Sequence, residues 1–287
     1  MDMTGKTIST SHGDINVVDS GGTGFPVLFL HGSSSSHAVF ARQFADPAFA
    51  GYRLIGFDLP GHGASSDATA PQKTYTIPGF AACTAELIGA LGLEKVVVVG
   101  WSLGGHIAIE LLNLTDRIAG VMICGAPPIP RGILGMLRGF HPSFDLLLTS
   151  KLTFTDRDVE RFEQLCLGSN GNPGIAETIR RADGRARALV AQAMSRGDGA
   201  DQRKTVENTA VPLAFVNGSD DRFVRPGYFE GLRVPLLFDG EQHVVEGVGH
   251  APFWERPDVF NPLLRRFLDE LMVYEATRSV PRLRAAG

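Results

Sequence analysis

The stretch VVVVGWSLGGHIAIE, Val96 to Glu110, passes from four β-branched residues into a helix-like pattern with only a glycine-flanked serine region between them. So abrupt a change of period restricts the chain to folds in which a buried strand feeds directly into a helix packed back against it. Comparable runs rich in Val, Ile, Leu and Phe recur at 26–31, 52–57, 95–100, 118–124, 211–217 and 242–247. The later runs alternate with helix-length segments at 37–46, 78–91, 103–113 and 257–272, the last opened by ERPD with Pro257 in its first turn. The pattern predicts an α/β fold with a mostly parallel central sheet flanked on both faces by helices. Two further runs, 5–10 and 14–19, sit either side of SHGD and predict an antiparallel hairpin at the N-terminus.

One interval breaks the rhythm. About 85 residues separate GVMICGAP from PLAFVNG, where a simple crossover needs far fewer. This predicts an inserted helical cap over 126–207, with a core made of 1–125 and 208–272 and a frayed C-terminal tail over 273–287 where apolar periodicity is lost. Within the insert, Val159, Phe162 and Leu165 follow helical spacing, as do Ala186, Val190 and Met194, while PSFDLLL adds an apolar cluster. Periodicity leaves open whether these stripes fill a core or line a pocket.

With 287 residues, 44% of them hydrophobic, the chain can bury a substantial core. Its formal net charge of −4 comes without long runs of one sign, which argues against nucleic-acid and membrane-surface partners and for small molecules. No stretch reaches the ~20 apolar residues that span a bilayer, and the N-terminus lacks a basic segment followed by an apolar one. Cys83, Cys124 and Cys166 are odd in number and far apart, which suits packing in a reducing compartment. A cytoplasmic protein, monomeric or a small homo-oligomer, is the expectation.

Gly100-Trp101-Ser102-Leu103-Gly104 fits G-x-S-x-G between a strand and a helix, the context of a nucleophile elbow. A serine on so sharp a turn takes a strained backbone, and glycines on either side keep Cβ atoms away from the neighbouring strand and helix. The helix N-terminus then aims free N–H groups at the site, so the Leu103 amide is a candidate oxyanion donor. The alternative is a structural turn in which Ser102 only caps the helix.

A serine nucleophile needs a base. Of eight histidines, His250 in EGVGHAPFWERP lies just past the last strand, where a loop can carry it over the sheet edge. His31 and His62 read as loop-structuring residues, His106 lies inside the helix after Ser102 with its side chain on the wrong turn, and His12, His37, His141 and His243 have no supporting context. The order serine, acid, histidine points to FVNGSDDRFV for the carboxylate, where Asp220 and Asp221 both qualify; either could instead form an Asx turn or pair with Arg222. The loop HGSSSS should give the second oxyanion donor, with Ser33 nearest and Ser34 to Ser36 expected to be merely solvated. Trp101 is expected to pack under the pocket. Around the reacting center, His31, Gly32, Trp101 and Phe162 are the candidate substrate-binding residues. No metal or other cofactor is expected, and a clustered HxHxDH metal-binding pattern is absent from the sequence.

HGSSSS, DLPGHGAS, GWSLGG, NGSDDRFV and GVGHAPF, in this order, give the chain a close resemblance to the α/β-hydrolase superfamily over about residues 10–272. That resemblance selects Asp221, the third residue after the glycine, as the acid. More narrowly, GWSLGGHIAIE, GAPP, ADGRARAL and GHAPF resemble the α/β-hydrolase-type N-acyl-homoserine lactonases, which degrade bacterial quorum signals. The resemblance implies a hydrolase that opens a lactone ring carrying an amide-linked acyl tail. Two departures stand out: those lactonases have asparagine where this chain has Ser33 and glutamate where it has Asp221. A carboxylesterase or carbon–carbon bond hydrolase would use the same machinery, and a non-catalytic receptor for a small ligand the same fold.

Overall fold

The computed structural model describes residues 3–168 and 173–279. Eight strands form one sheet: β1 (Thr4–Thr10), β2 (Gly13–Asp19), β3 (Phe25–Leu30), β4 (Tyr52–Phe57), β5 (Val96–Trp101), β6 (Ile118–Cys124), β7 (Leu213–Gly218) and β8 (His243–Val245). Their order is β1-β2-β4-β3-β5-β6-β7-β8. β1 pairs antiparallel with β2 and β2 antiparallel with β4, while every pair from β4 to β8 is parallel. Central strands β5 and β6 are buried at every position, because helices cover both faces of a parallel sheet and leave no side that can be polar. The expected N-terminal hairpin is present in register, Thr4 opposite Asp19 and Thr10 opposite Gly13.

The helices are α1 (Ala41–Phe44), α2 (Pro71–Thr74), α3 (Ile77–Ala90), α4 (Leu103–Leu111), α5 (Ile133–Gly139), α6 (Asp156–Leu167), α7 (Pro173–Arg181), α8 (Gly184–Arg196), α9 (Gln202–Asn208), α10 (Pro252–Glu255) and α11 (Pro257–Ser279). Helix α6 starts with a complete capping box, Thr155 and Asp158 each bonding the other's backbone N–H, and α8 ends at Gly197 in the left-handed conformation. The long interval between β6 and β7 is helical from α5 to α9. It is bound to the sheet side at several points: the Asp183 N–H donates to the Gly61 carbonyl at 2.8 Å, and the Tyr75 hydroxyl to the Asp183 carboxylate at 2.7 Å. Arg181 reaches the Ser65 carbonyl at 2.8 Å.

Two sequence expectations change. The tail does not fray at Met272, for α11 continues through Val273 to Ser279. Loss of apolar periodicity marks where the helix stops burying a face: Val273 is exposed, yet no glycine or proline stands between Met272 and Ser279 to break the helix. The last expected strand, 242–247, shortens to three residues because Gly247 (φ 69°) turns the chain out of the sheet.

Candidate active site

The candidate residues leave the sheet at the carboxyl ends of parallel strands, where open α/β sheets bind ligands. Ser102 follows β5 with φ 54° and ψ −118°, a left-handed backbone that a side chain rarely adopts, and its N–H donates to the Cys124 carbonyl at 2.8 Å. The glycines that permit this are sterically forced. A Cβ on Gly100 would overlap the Gly104 carbonyl in α4, and one on Gly104 would overlap the Leu30 carbonyl at the end of β3. Leu103 is the first residue of α4, so its N–H has no acceptor within the helix.

His250 and Asp221 meet at the ends of β8 and β7. The His250 Nδ1 lies 2.7 Å from Asp221 Oδ2, and both side chains are buried. The other carboxylate oxygen, Oδ1, accepts the N–H groups of Phe223 (2.8 Å) and Val224 (3.0 Å), so the Asx turn considered as an alternative is present and itself aims the acid at the imidazole. Asp220 lies outside this pair and accepts from the Ser219 hydroxyl. Loop 247–250 crosses directly over Gly218, whose missing Cβ would strike the carbonyls of Val248 and Gly249, and Gly125 (φ 62°) leaves room for the His250 ring, 2.6 Å from where its Cβ would be. The bonded Nδ1 carries the proton toward the carboxylate, which leaves Nε2 free to act as a base.

Ser102 and His250 line one cavity together with Ser33, Trp101 and Leu103. Its roof comes from the β6–β7 interval: Met136, Phe140, Leu146, Phe162, Val190 and Met194. Both helical stripes are therefore divided, with Val159, Leu165 and Ala186 in the core and Phe162, Val190 and Met194 facing the cavity. The empty space in the cavity amounts to about 770 Å3, part of it open to solvent.

Of the four residues expected to bind substrate, Trp101 and Phe162 reach the cavity wall. Trp101 donates its indole N–H to the His250 carbonyl at 2.9 Å, holding the loop that bears the histidine. His31 and Gly32 are not brought to the cavity. His31 is fully buried, its Nδ1 bonded to the Gly32 carbonyl at 2.7 Å and its Nε2 to the Leu59 N–H at 2.9 Å, so both nitrogens are spent on backbone. Burial pushes its pKa down to about 4 and keeps it neutral. Gly32 lies behind Trp101 and Ser102, in a space too small for a side chain.

Two residues of this site were not legible as such in the sequence. Arg187, from ADGRARAL, is buried in the roof and donates to Ser34 Oγ at 2.8 Å and to the carbonyls of Lys151 and Leu152, with its guanidinium 3.9 Å from the Phe154 ring centroid. Burial lowers its pKa to about 10 against the opposing pull of Asp183 and Asp158. Ser34 to Ser36 are consequently buried and not solvated: Ser34 (φ 57°) bonds Arg187, and Ser36 caps the turn that starts at His37. His106 is the second. Its ring lines the cavity one helical turn beyond Ser102, on the turn that spacing alone would have placed away from the site. A polar residue four positions after the nucleophile, in a helix whose first two turns are otherwise apolar, was the available signal.

The chain belongs to the alpha/beta hydrolase family, whose model matches residues 27–263. Among solved structures it is similar to a variant of N-acyl homoserine lactonase AidH complexed with N-hexanoyl homoserine, at 37% identity and a TM-score of 0.91 over 94% of this chain and 98% of that one. It is likewise similar to AidH complexed with N-butanoyl homoserine, at 38% identity and a TM-score of 0.90 over 93% and 97% of the two chains. A 2-hydroxy-6-oxononadienedioate/2-hydroxy-6-oxononatrienedioate hydrolase of Dechloromonas aromatica (strain RCB) is 27% identical over 92% of this chain and 95% of that protein. A pimeloyl-[acyl-carrier protein] methyl ester esterase of Xanthomonas axonopodis pv. citri (strain 306) is 28% identical over 88% and 98%. The chain is thus a hydrolase, similar to a lactonase, an esterase and a 2-hydroxy-6-oxononadienedioate hydrolase. Among the described residues no helix is long and apolar enough to cross a membrane.

Proposed function

We propose that this protein opens the lactone ring of N-acyl-homoserine lactones through an acyl-enzyme. The observation that carries the reading is the likeness to the AidH lactonase structures over nearly the whole chain, at 37% identity, with the cavity built around Ser102. His250, held by Asp221, takes the Ser102 proton as Oγ attacks the ring carbonyl, and the oxyanion is held by the N–H groups of Leu103 and Ser33. The imidazolium then protonates the departing ring oxygen, which stays attached to the acyl part as a hydroxyl because the ester is cyclic. Water, deprotonated by the same histidine, hydrolyses the acyl-enzyme and releases the N-acyl homoserine. Trp101 and Phe162 contact the substrate, while His31 and Gly32 act from behind by shaping the loop that carries Ser33. Segment 126–207 serves as the cap, and its apolar face holds the acyl chain, each buried methylene contributing about 0.8 kcal/mol.

The second reading, hydrolysis of an acyclic ester or of a carbon–carbon bond, has its support in the curated relatives. Mass-spectrometric turnover of an acyl-homoserine lactone series beside p-nitrophenyl esters decides between them. The expected result is lactone opening by the wild type and none by Ser102→Ala; turnover of the esters alone, or full lactone opening by Ser102→Ala, overturns the proposal.

A further inference from the structure

The mechanism above leaves an imidazole on the cavity wall unused. His106 is 4% exposed and lies on α4, where its backbone N–H donates to the Ser102 carbonyl at 3.1 Å. Ser102 and His106 line the same cavity, so the imidazole shares its wall with the nucleophile. Its tautomer is fixed by Gln202 on α9. The Gln202 amide nitrogen donates to the His106 carbonyl at 3.4 Å, which turns its oxygen toward Nδ1 at 2.7 Å. Nδ1 must then carry the proton, and Nε2 is a bare lone pair with no hydrogen-bond partner among the described residues.

Burial keeps this imidazole neutral, with a pKa pushed down to about 4, so the lone pair is present throughout the neutral range. The other polar groups on the wall differ in kind. Arg187 brings donors only, the Trp101 N–H is spent on the His250 carbonyl, and Ser102, Ser33 and His250 belong to the reaction itself. Thr149 donates to the Leu146 carbonyl at 2.7 Å and can also accept, but it lies on the roof, away from the helix that bears the nucleophile.

We propose that His106 is a specificity-determining residue whose Nε2 accepts a hydrogen bond from a substrate N–H placed two bonds from the carbonyl carbon under attack. In an acyl-homoserine lactone that donor is the amide N–H on the ring carbon beside the carbonyl, so this inference rests on the lactonase reading. It gives the cavity a reason to prefer an amide-bearing lactone over a bare one, because a substrate without the donor covers this acceptor and leaves it unpaired.

The test compares kcat/KM of the full chain on N-hexanoyl-homoserine lactone, its N-methylamide analogue and α-hexanoyloxy-γ-butyrolactone, in which oxygen replaces the N–H. The wild type should favour the N–H substrate by about ten- to a hundredfold. In His106→Phe the parent lactone should fall to the level of the other two, and in His106→Gln, which keeps a carbonyl acceptor, part of the preference should return. Equal handling of the three lactones by the wild type overturns the inference without need of any variant. A preference that persists in His106→Phe overturns it as well and transfers the acceptor to Thr149. Should the wild type open no lactone yet hydrolyse esters, the lactonase reading alone has failed; the same preference is then expected for ethyl N-hexanoylglycinate over ethyl hexanoyloxyacetate, and its absence overturns the role of His106.

Discussion

Mild acid should unfold this protein before most of its carboxylates titrate. His31, His62 and His106 are buried, and burial holds their pKa values down to about 4, 3 and 4. The His62 Nδ1 bonds the Pro60 carbonyl at 3.0 Å, its Nε2 has no partner, and its ring lies 5.2 Å from that of His31, so a second charge there would meet the first. In the unfolded chain each titrates near 6.5. Their folded values lie below this, so the stability they confer is complete above pH 6.5 and drains away as the pH falls toward 4. Once the unfolded state is fully protonated, three protons bound only by that state give a slope of about 4 kcal/mol per pH unit, and the loss from pH 7 to pH 5 comes to about 5 kcal/mol. That is comparable to the whole stability of many domains. Guanidinium midpoints followed by circular dichroism should hold between pH 8 and pH 7 and then fall steadily to pH 5, and His62→Asn, which keeps a donor for the Pro60 carbonyl, should remove about one proton from the slope. A midpoint unchanged between pH 7 and pH 5, or a slope that His62→Asn leaves alone, would refute the reasoning.

Other substitutions probe the site directly. Asp221→Asn keeps the acceptor for Phe223 and Val224 but cannot hold the imidazole in its working tautomer, so kcat should drop by about 10⁴ with the melting temperature nearly unchanged, as steady-state kinetics and calorimetry would reveal. Arg187→Met severs the bond to Ser34 beside the loop bearing Ser33, and about tenfold should be lost from kcat with KM within threefold. A rise in KM at constant kcat would instead make Arg187 a substrate ligand.

Much of the fold was legible because its signals are local. The β5–Ser102–α4 transition is written in consecutive residues, and the glycines at 100 and 104 have their reason in atoms of the neighbouring helix and strand. Asp221 was separable from Asp220 only by family resemblance, since spacing cannot say which side chain reaches a histidine 29 residues away; the geometry selects the same residue through its 2.7 Å bond. What the sequence hid were long-range relations. The Arg187 bond to Ser34 joins residues 153 positions apart and turns an apparently solvated serine run into buried structure. His106 was discounted by counting turns along one helix, whereas Gln202, 96 positions on, decides how its ring is held. His31 erred the other way, adjacent in sequence to the reacting loop but committed to backbone on both nitrogens.

The apolar roof has a consequence for how a turnover ends. Hydrolysis of any ester or lactone converts a neutral molecule into a carboxylate, and a wall of Met136, Phe140, Leu146, Phe162, Val190 and Met194 offers that anion no solvation. Three of the N–H groups of Arg187, the cation on the wall, are already given to Ser34, Lys151 and Leu152. The roof that suits an uncharged reactant therefore faces a charged product, whose carboxylate finds polar partners at the Ser102 end of the cavity.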